Sequence, residues 1–575
     1  MPRLTILLIF AALLAACGRP AAQAPTATPT AARPPTATVD PRLPTAPPRI
    51  TPGPTATPFP LEAGWWDGAV CYEVFVRSFF DSDGDGNGDL AGLIQKLDYI
   101  NDGDPASTRD LGATCIWLMP ITAAASYHGY DTVDYYTVEP DYGTNDDFKR
   151  LVAEAEARGI KVIIDLVINH TSSQHPWFQE ALRDPDSPYR DWYLWSQVKP
   201  AYRGPFNNEV WHQSPVSNEF YYGLFWSEMP DLNFRNPAVI EEVRKISRFW
   251  VEEMGAAGFR MDAIKHLIEY QGAQENTPET HQWLREYRAF LQAELPGTFT
   301  VGEIFDGDPF TLAPYYPDQL DYYFEFDVAA AARGAADVGL ARQYVEAVQA
   351  ATNSLPFQRW SPFLTNHDQN RVMSELDDDP AKAKLAALAL LTLPGLPFIY
   401  YGEEIGMLGL KPDENIRTPM QWTADAAAGF SSGEPWRAPQ PDYTTKNVAA
   451  QEADAFSLLN TYRALVQLHT STPALASGEF VAFSSDNSAV AAFLRVSGDD
   501  VALVLINFDR GDAVDARLDL AQSPLPAGDY TLSPIFGAPE VGPAPLTVGA
   551  DGAVQGYIPI PNIPPQTGYI FRLER

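Results

Sequence analysis

GFRMDAIKH (residues 258–266) follows a run of helical periodicity and places an Arg, an Asp, a Lys and a His within seven positions. Its first five residues read as a strand in which Arg260 and Asp262, two apart, project from the same face. A salt-bridged strand end would explain the pair; so would a carboxylate aimed at a reaction. Upstream, Asn236 before Pro237 marks a helix start. Val239, Val243, Ile246 and Trp250 then recur at helical spacing, and Gly255 closes the pattern. A strand entered from a helix in this way is one half of a β/α unit.

The same alternation extends along most of the chain. VCYEVFVRSF (70–79), TCIWLMP (114–120) and KVIIDLVINH (161–170) read as the first three strands. Phe148, Leu151, Val152 and Ala155 form a helical face before the third. GFRMD (258–262), TFTVGEIF (298–305), DYYFEF (321–326), PFLTNHD (362–368) and PFIYYGEE (397–404) read as strands four to eight. Eight such units predict a (β/α)8 TIM barrel over residues 61–170 and 236–476. Residues 171–235, with Trp177, Trp192, Trp195, Trp211 and Trp226 but little periodicity, read as a loop-rich insertion after strand three. From about Ser477 short alternating strands such as VALVLINF (501–508) and TGYIFRL (567–573) predict a C-terminal antiparallel β-sandwich domain, 477–575.

The 575 residues carry a formal net charge of −34, which opposes binding to nucleic acid or anionic lipid and leaves neutral substrates open. Three Cys do not make a disulfide framework, and Cys71 and Cys115, each in an apolar run, read as buried inert thiols. Residues 1–17 resemble a bacterial lipoprotein leader: Arg3, the apolar run LTILLIFAALLAA, then Cys17, the residue that would be lipidated. Residues 18–60 hold 13 Pro and 9 Thr in 43 positions and predict a disordered tether. At about 3.1 Å per residue it would reach roughly 130 Å. The expected location is therefore outside the cytoplasm, with the membrane met only through lipid at the N-terminus.

Barrel active sites lie at the C-terminal ends of the strands. There the sequence puts Asp165, Asn169 and His170 (strand three), Arg260 and Asp262 (four), Glu303 (five), and Asn366, His367 and Asp368 (seven). Three acids converging in one low-dielectric pocket cost several kcal/mol, about what a structure keeps only for chemistry. Two carboxylates, one ionised and one protonated, are what cleavage of a glycosidic bond requires.

DLVINH, GFRMDAIKH, VGEIF and FLTNHD, in this order and at these strand ends, resemble the four sequence regions of the α-amylase family, glycoside hydrolase family 13. The resemblance covers residues 65–575 and implies a retaining mechanism. Asp262 would be the nucleophile, Glu303 the acid/base and Asp368 the transition-state stabiliser. Arg260 would orient Asp262, His170 and His367 would bind sugar hydroxyls, and Tyr130 would stack on the sugar. Lys265 and His266 would contact the sugar beyond the cleavage point. Ala263 after the nucleophile, and Tyr127 where exo-acting relatives place an Asp, resemble α-1,4-acting amylases. NHTSSQHPWF (169–178) and RTPMQW (417–422), whose Arg417 joins the substrate-binding set, resemble oligo-1,6-glucosidases. MPDLN (229–233) stands between that group and neopullulanases. The mixture resembles the intermediary α-amylase subfamily, acting on starch, glycogen or maltooligosaccharides.

DSDGDGNGD (81–89) sets Asp81, Asp83, Asp85, the Asn87 carbonyl and Asp89 at alternate positions, hard oxygen donors that suit Ca²⁺. The family has a similar loop after its first strand. A second Ca²⁺, shared by many amylases, would use Asn169 and the His266 carbonyl. Two other readings stay open: an α-1,6-glucosidase, neopullulanase or transglycosylase on the same scaffold, and a non-catalytic surface glucan-binding lipoprotein. The intact Asp262, Glu303 and Asp368 argue against the second.

Overall fold

A computed structural model of the protein describes residues 64–270, 272–305 and 307–575. The expected leader, Cys17 and the tether lie outside the described residues. Seven parallel strands form one curled sheet: Cys71–Val74, Cys115–Leu118, Lys161–Leu166, Gly258–Met261, Phe299–Gly302, Tyr322–Tyr323 and Phe398–Tyr400. In sheet order the sixth strand is followed by the fifth, fourth, third, second and first, and the first pairs with the eighth. The seventh position is held by two isolated parallel bridges, Phe324 to Ser361 and Phe363 to Phe398, which complete the ring. The run 362–368 reads as a strand in the sequence. Pro362 accepts from the Phe398 amide at 2.9 Å but has no N–H to return, so no continuous ladder forms there.

The other ladders are also shorter than the apolar runs that announce them. Lys161–Leu166 stops pairing four residues before His170, and the chain then turns into the barrel mouth. Residues past the ladder, among them Asn169 and His170, then join inward-facing residues of the ladder itself, such as Asp165 and Arg260, at the mouth.

Register sorts the interior into layers. Cys71 lies opposite Cys115, Ile163 opposite Gly258, and Gly258 opposite Phe299, an apolar layer. Gly258 is required by close approach, because a Cβ there would lie 2.2 Å from the Phe299 carbonyl oxygen. Two residues on, the alternation of side chains brings in the next layer, with Glu73 opposite Trp117 and Asp165 opposite Arg260. Charged residues therefore sit directly above a greasy floor, at the end of the barrel where the strands finish.

Cys71 and Cys115 correct the sequence reading, since they form a disulfide. Each belonged to an apolar strand with no visible partner. The parallel register sets them side by side with Cα atoms 4.3 Å apart.

The outer helices follow their sequence signals. Pro237–Arg248 starts at Asn236, whose side chain accepts from the Ala238 amide, and buries Val239, Val243 and Ile246. It widens into a π turn at Phe249–Glu253 that buries Trp250 before Gly255. Asn145–Glu156 begins with a Thr144/Asp147 capping box. Between Thr171 and Arg235 the chain forms the helix Pro176–Arg183 and a three-stranded antiparallel sheet of Trp195–Ser196, Phe220–Tyr222 and Trp211–Gln213. From Glu479 a six-stranded sheet, a three-stranded sheet and a two-stranded pair enclose a separate core around Phe483, Leu494, Leu503, Leu518 and Phe571.

Candidate active site

Arg260 organises the mouth of the barrel. Its guanidinium is 1% exposed, and three carboxylates from three strand ends meet it. Nη1 lies 2.8 Å from Asp165 Oδ1 and 2.8 Å from Asp262 Oδ1, and Nη2 lies 2.8 Å from Glu303 Oε2. Ala263 follows Asp262 in the left-handed region, at φ 48°, a conformation costly for a residue with a Cβ. It turns the chain off the strand into the short helix Ile264–His266, and its amide lies 3.4 Å from Glu303 Oε2.

Asp368 stands on another wall, its side chain 39% exposed. One oxygen takes a 2.8 Å hydrogen bond from Arg417 Nη2, and the other lies 3.2 Å from His367 Nε2. Arg417 also reaches Asp413 at 3.1 Å and donates through Nε to the His367 carbonyl at 2.9 Å. Tyr130 donates to Asp165 Oδ2 at 3.0 Å, and its hydroxyl lies 2.6 Å from His367 Nε2.

One cation among three acids leaves an excess of negative charge, which protons relieve. Burial, then the charges of Asp262 and Asp368, push the Glu303 carboxyl up, and Arg260 only partly offsets them. Burial raises Asp165 to about 7, again against Arg260. Asp368 behaves oppositely. Burial alone would raise it, but the His367 imidazolium and Arg417 hold it well below the usual carboxylate range. A carboxyl pushed towards its protonated form and an ionised acid thus face the same space.

That space is a cavity of about 470 Å³. Asp262, Glu303 and Asp368 line it, with Tyr130, His170, Lys265, His266 and Arg417 from the expected substrate-binding set. Lys265 Nζ is held by the Phe305 carbonyl at 2.9 Å and Glu275 at 3.0 Å, and His266 Nδ1 by the Gln274 carbonyl at 2.8 Å. One residue expected to bind sugar hydroxyls, His367, is placed below the surface, while Arg260 lies against the Asp262 it was expected to orient. His367 has no exposed surface and lies under Tyr130 and beside Trp117, with both ring nitrogens engaged. Arg260 is sealed beneath the carboxylates it holds.

The sequence reading missed several walls. Phe206 and Phe225 come from the insertion, whose lack of period gave no sign of them, and Trp226 is 54% exposed beside them. Phe305, His128, Lys411 and Asp413 complete the rim. Glu73 was legible only as a lone acid in the apolar run CYEVFV.

In the 81–89 loop, oxygens of Asp81, Asp83 and Asp89 all lie within 4.8 Å of one another. Asp81 accepts from the amides of Asp83, Gly84 and Gly86, while Asp85 turns to the Asn87 amide. Asn87 Oδ1 accepts from Arg77. A Cβ at Gly86, φ +101°, would lie 2.1 Å from the Glu434 carbonyl oxygen. Elsewhere, Asn169 donates to Asp231 at 3.1 Å, and its buried Oδ1 has no hydrogen-bond partner among the described residues.

Residues 73–478 match the family model described as "Alpha amylase, catalytic domain". The chain belongs to the α-amylase family. It is 41% identical over 453 residues to alpha-amylase 3 of Dictyoglomus thermophilum, covering 78% of this chain and 86% of that protein. Over 515 residues it is 37% identical to the trehalose synthase/amylase of Mycobacterium tuberculosis, covering 78% and 83%. The crystal structure of an alpha-amylase from H. orenii superposes with a TM-score of 0.76 at 39% identity, covering 88% of this chain and all of that one. The amylase barrel with its C-terminal β domain is therefore the shared scaffold.

The buried acids give stability a pH dependence. Burial raises Asp165 to about 7 and Glu325 and Glu403 to about 8, above the roughly 4 of an unfolded chain. The folded state therefore binds extra protons and loses stability as pH rises through 7 to 8. His367, held near 9 by Asp368 and Glu73 against burial, acts in the same direction. His175 and His469, lowered by burial to about 4, oppose the trend only below about pH 6.5. Thermal unfolding midpoints are expected to fall steadily between about pH 6.5 and 8.5. A midpoint rising over that interval would contradict the assigned protonation.

Proposed function

We propose that the protein is an α-amylase that hydrolyses α-1,4-glucosidic bonds of starch, glycogen or maltooligosaccharides with retention of configuration. The observation that carries this reading is the suspension of Asp262 and Glu303 from two nitrogens of one buried guanidinium, each at 2.8 Å. Retaining enzymes need their two carboxyls as near neighbours, about 5–5.5 Å apart, and two acids held by one guanidinium are near neighbours.

In the first step a carboxylate oxygen of Asp262 attacks the anomeric carbon as the glycosidic C–O bond breaks, and the Glu303 proton passes to the departing oxygen. Glu303, now ionised, takes a proton from water. That water displaces Asp262 from the ester and returns the site to its starting state. Asp368, kept anionic by His367 and Arg417, accepts hydroxyl hydrogen bonds that strengthen as the ring flattens. Tyr130, Phe206, Phe225, Trp226 and Phe305 offer flat apolar faces to sugar rings.

Two features favour an endo-acting α-1,4 enzyme. Ala263 leaves room beside the nucleophile. Tyr127 stacks on Trp436 at 5.2 Å, where an acid would grip a chain end. The similarity to alpha-amylase 3 points the same way. The leader, Cys17 and the Pro/Thr tether support a lipid-anchored enzyme outside the cytoplasm, and a Cys71–Cys115 disulfide suits an oxidising compartment.

Calcium completes the proposal. Asp81, Asp83 and Asp89 offer hard oxygens, while the Asp85 side chain caps the Asn87 amide instead, and bound Ca²⁺ would neutralise the three acids and brace the loop. Asn169 Oδ1, beside Asp231 and without a hydrogen-bond partner among the described residues, would serve as a ligand for a second ion.

Two experiments test these readings. The purified protein should abolish iodine staining of amylose rapidly and release short maltooligosaccharides, while Asp262→Asn retains less than about 10⁻³ of the activity. Glucose released only from panose or isomaltose, or trehalose formed from maltose, would assign a different family activity. Chelator-treated protein should gain several degrees of thermal midpoint on adding Ca²⁺, and Asp81→Asn should lose that gain. Equal midpoints with and without Ca²⁺ would remove the metal from the account.

A further inference from the structure

His367 is fully buried, yet it is bonded on both sides. Nδ1 lies 2.6 Å from Glu73 Oε1, and Nε2 lies 2.6 Å from the Tyr130 hydroxyl and 3.2 Å from Asp368 Oδ2. Glu73 comes from the first barrel strand and is itself 1% exposed. A buried acid costs stability unless something uses it. Its placement deepens the reading of the site given above.

Counting donors and acceptors decides the arrangement. A Glu73 carboxylate oxygen accepts, so Nδ1 must carry hydrogen. A neutral ring would then present a lone pair at Nε2 to Asp368, whose oxygens are also acceptors. Tyr130 spends its only hydrogen on Asp165, so its oxygen is free to accept as well. Hydrogen on both ring nitrogens satisfies every contact.

We propose that Glu73 is a positioning residue, which fixes His367 as a two-sided donor beneath Tyr130 and Asp368. Asp368 is thereby kept ionised on the exposed wall, where the sugar hydroxyls are bound, although Glu73 never meets substrate. The groups facing the ring support this. Glu73 approaches from below and Asp368 from its own loop. Tyr130 covers it, with Asp165 and Arg260 behind, while Glu303 lies across the site and Arg417 binds the His367 carbonyl. Burial presses the imidazole down, and Asp368 and Glu73 overcome it.

Glu73→Gln keeps the shape and removes the charge. In ¹⁵N-histidine-labelled wild-type protein, the His367 ring, assigned by its loss in His367→Asn, should remain doubly protonated beyond about pH 8. In Glu73→Gln it should titrate at least about one pH unit lower. The alkaline limb of kcat/KM on amylose should move by the same amount, and Glu73→Asp should restore most of it. A wild-type ring neutral at pH 7 would overturn the proposal, as would a Glu73→Gln profile superimposed on the wild type. If Glu73→Gln does not fold, the wild-type spectrum alone decides. Absence of amylose hydrolysis would sink the α-amylase reading only, because the ring is observed without substrate.

Discussion

One guanidinium carries the charge of the barrel mouth. Arg260 binds Asp165, Asp262 and Glu303 at 2.8 Å each while almost fully buried, and it lies 5.1 Å above the Trp117 ring. Removing one partner from such a cluster typically costs about 3–5 kcal/mol, because the remaining charges are left in a medium that cannot solvate them. The strands have to end where they do so that three acids reach one cation. Their parallel register provides this, by setting the polar layer two residues beyond the apolar one.

The same excess of negative charge sorts the acids into roles. Glu303, buried and beside other carboxylates, is pushed towards its protonated form. Asp368, between a buried imidazole and Arg417, favours its anion. Environments that drive neighbouring carboxyls apart are how a site holds an acid and an anion at one pH. The exposed aromatics of the insertion and Phe305 then supply apolar faces around this charged centre.

Much of this was legible in the chain. GFRMD and VGEIF name the residues at two strand ends and FLTNHD those of the bridged seventh position, and Asn236 with Pro237 marks a helix start that the structure contains. Other features depend on what lies across the barrel. Nothing beside Cys71 or Cys115 announces that register makes them neighbours 44 residues apart. His367 reads as a sugar ligand until Tyr130 is seen to cover it, and Glu73 reads as an oddity until His367 is found against it. Phe206 and Phe225 reach the cavity from a segment without periodic pattern. In each case local sequence carries the residue type, and a contact distant in the chain carries its role.

The central claim is that Asp262 forms a bond to the sugar while Glu303 moves the proton. The most direct measurement is peptide mapping by mass spectrometry of Glu303→Gln after incubation with 5-fluoro-α-glucosyl fluoride, whose good leaving group needs no acid. The account predicts a single glycosyl ester, on the peptide containing Asp262 and on that side chain. An adduct on another residue, or sugar released with inverted configuration and no adduct, would contradict it.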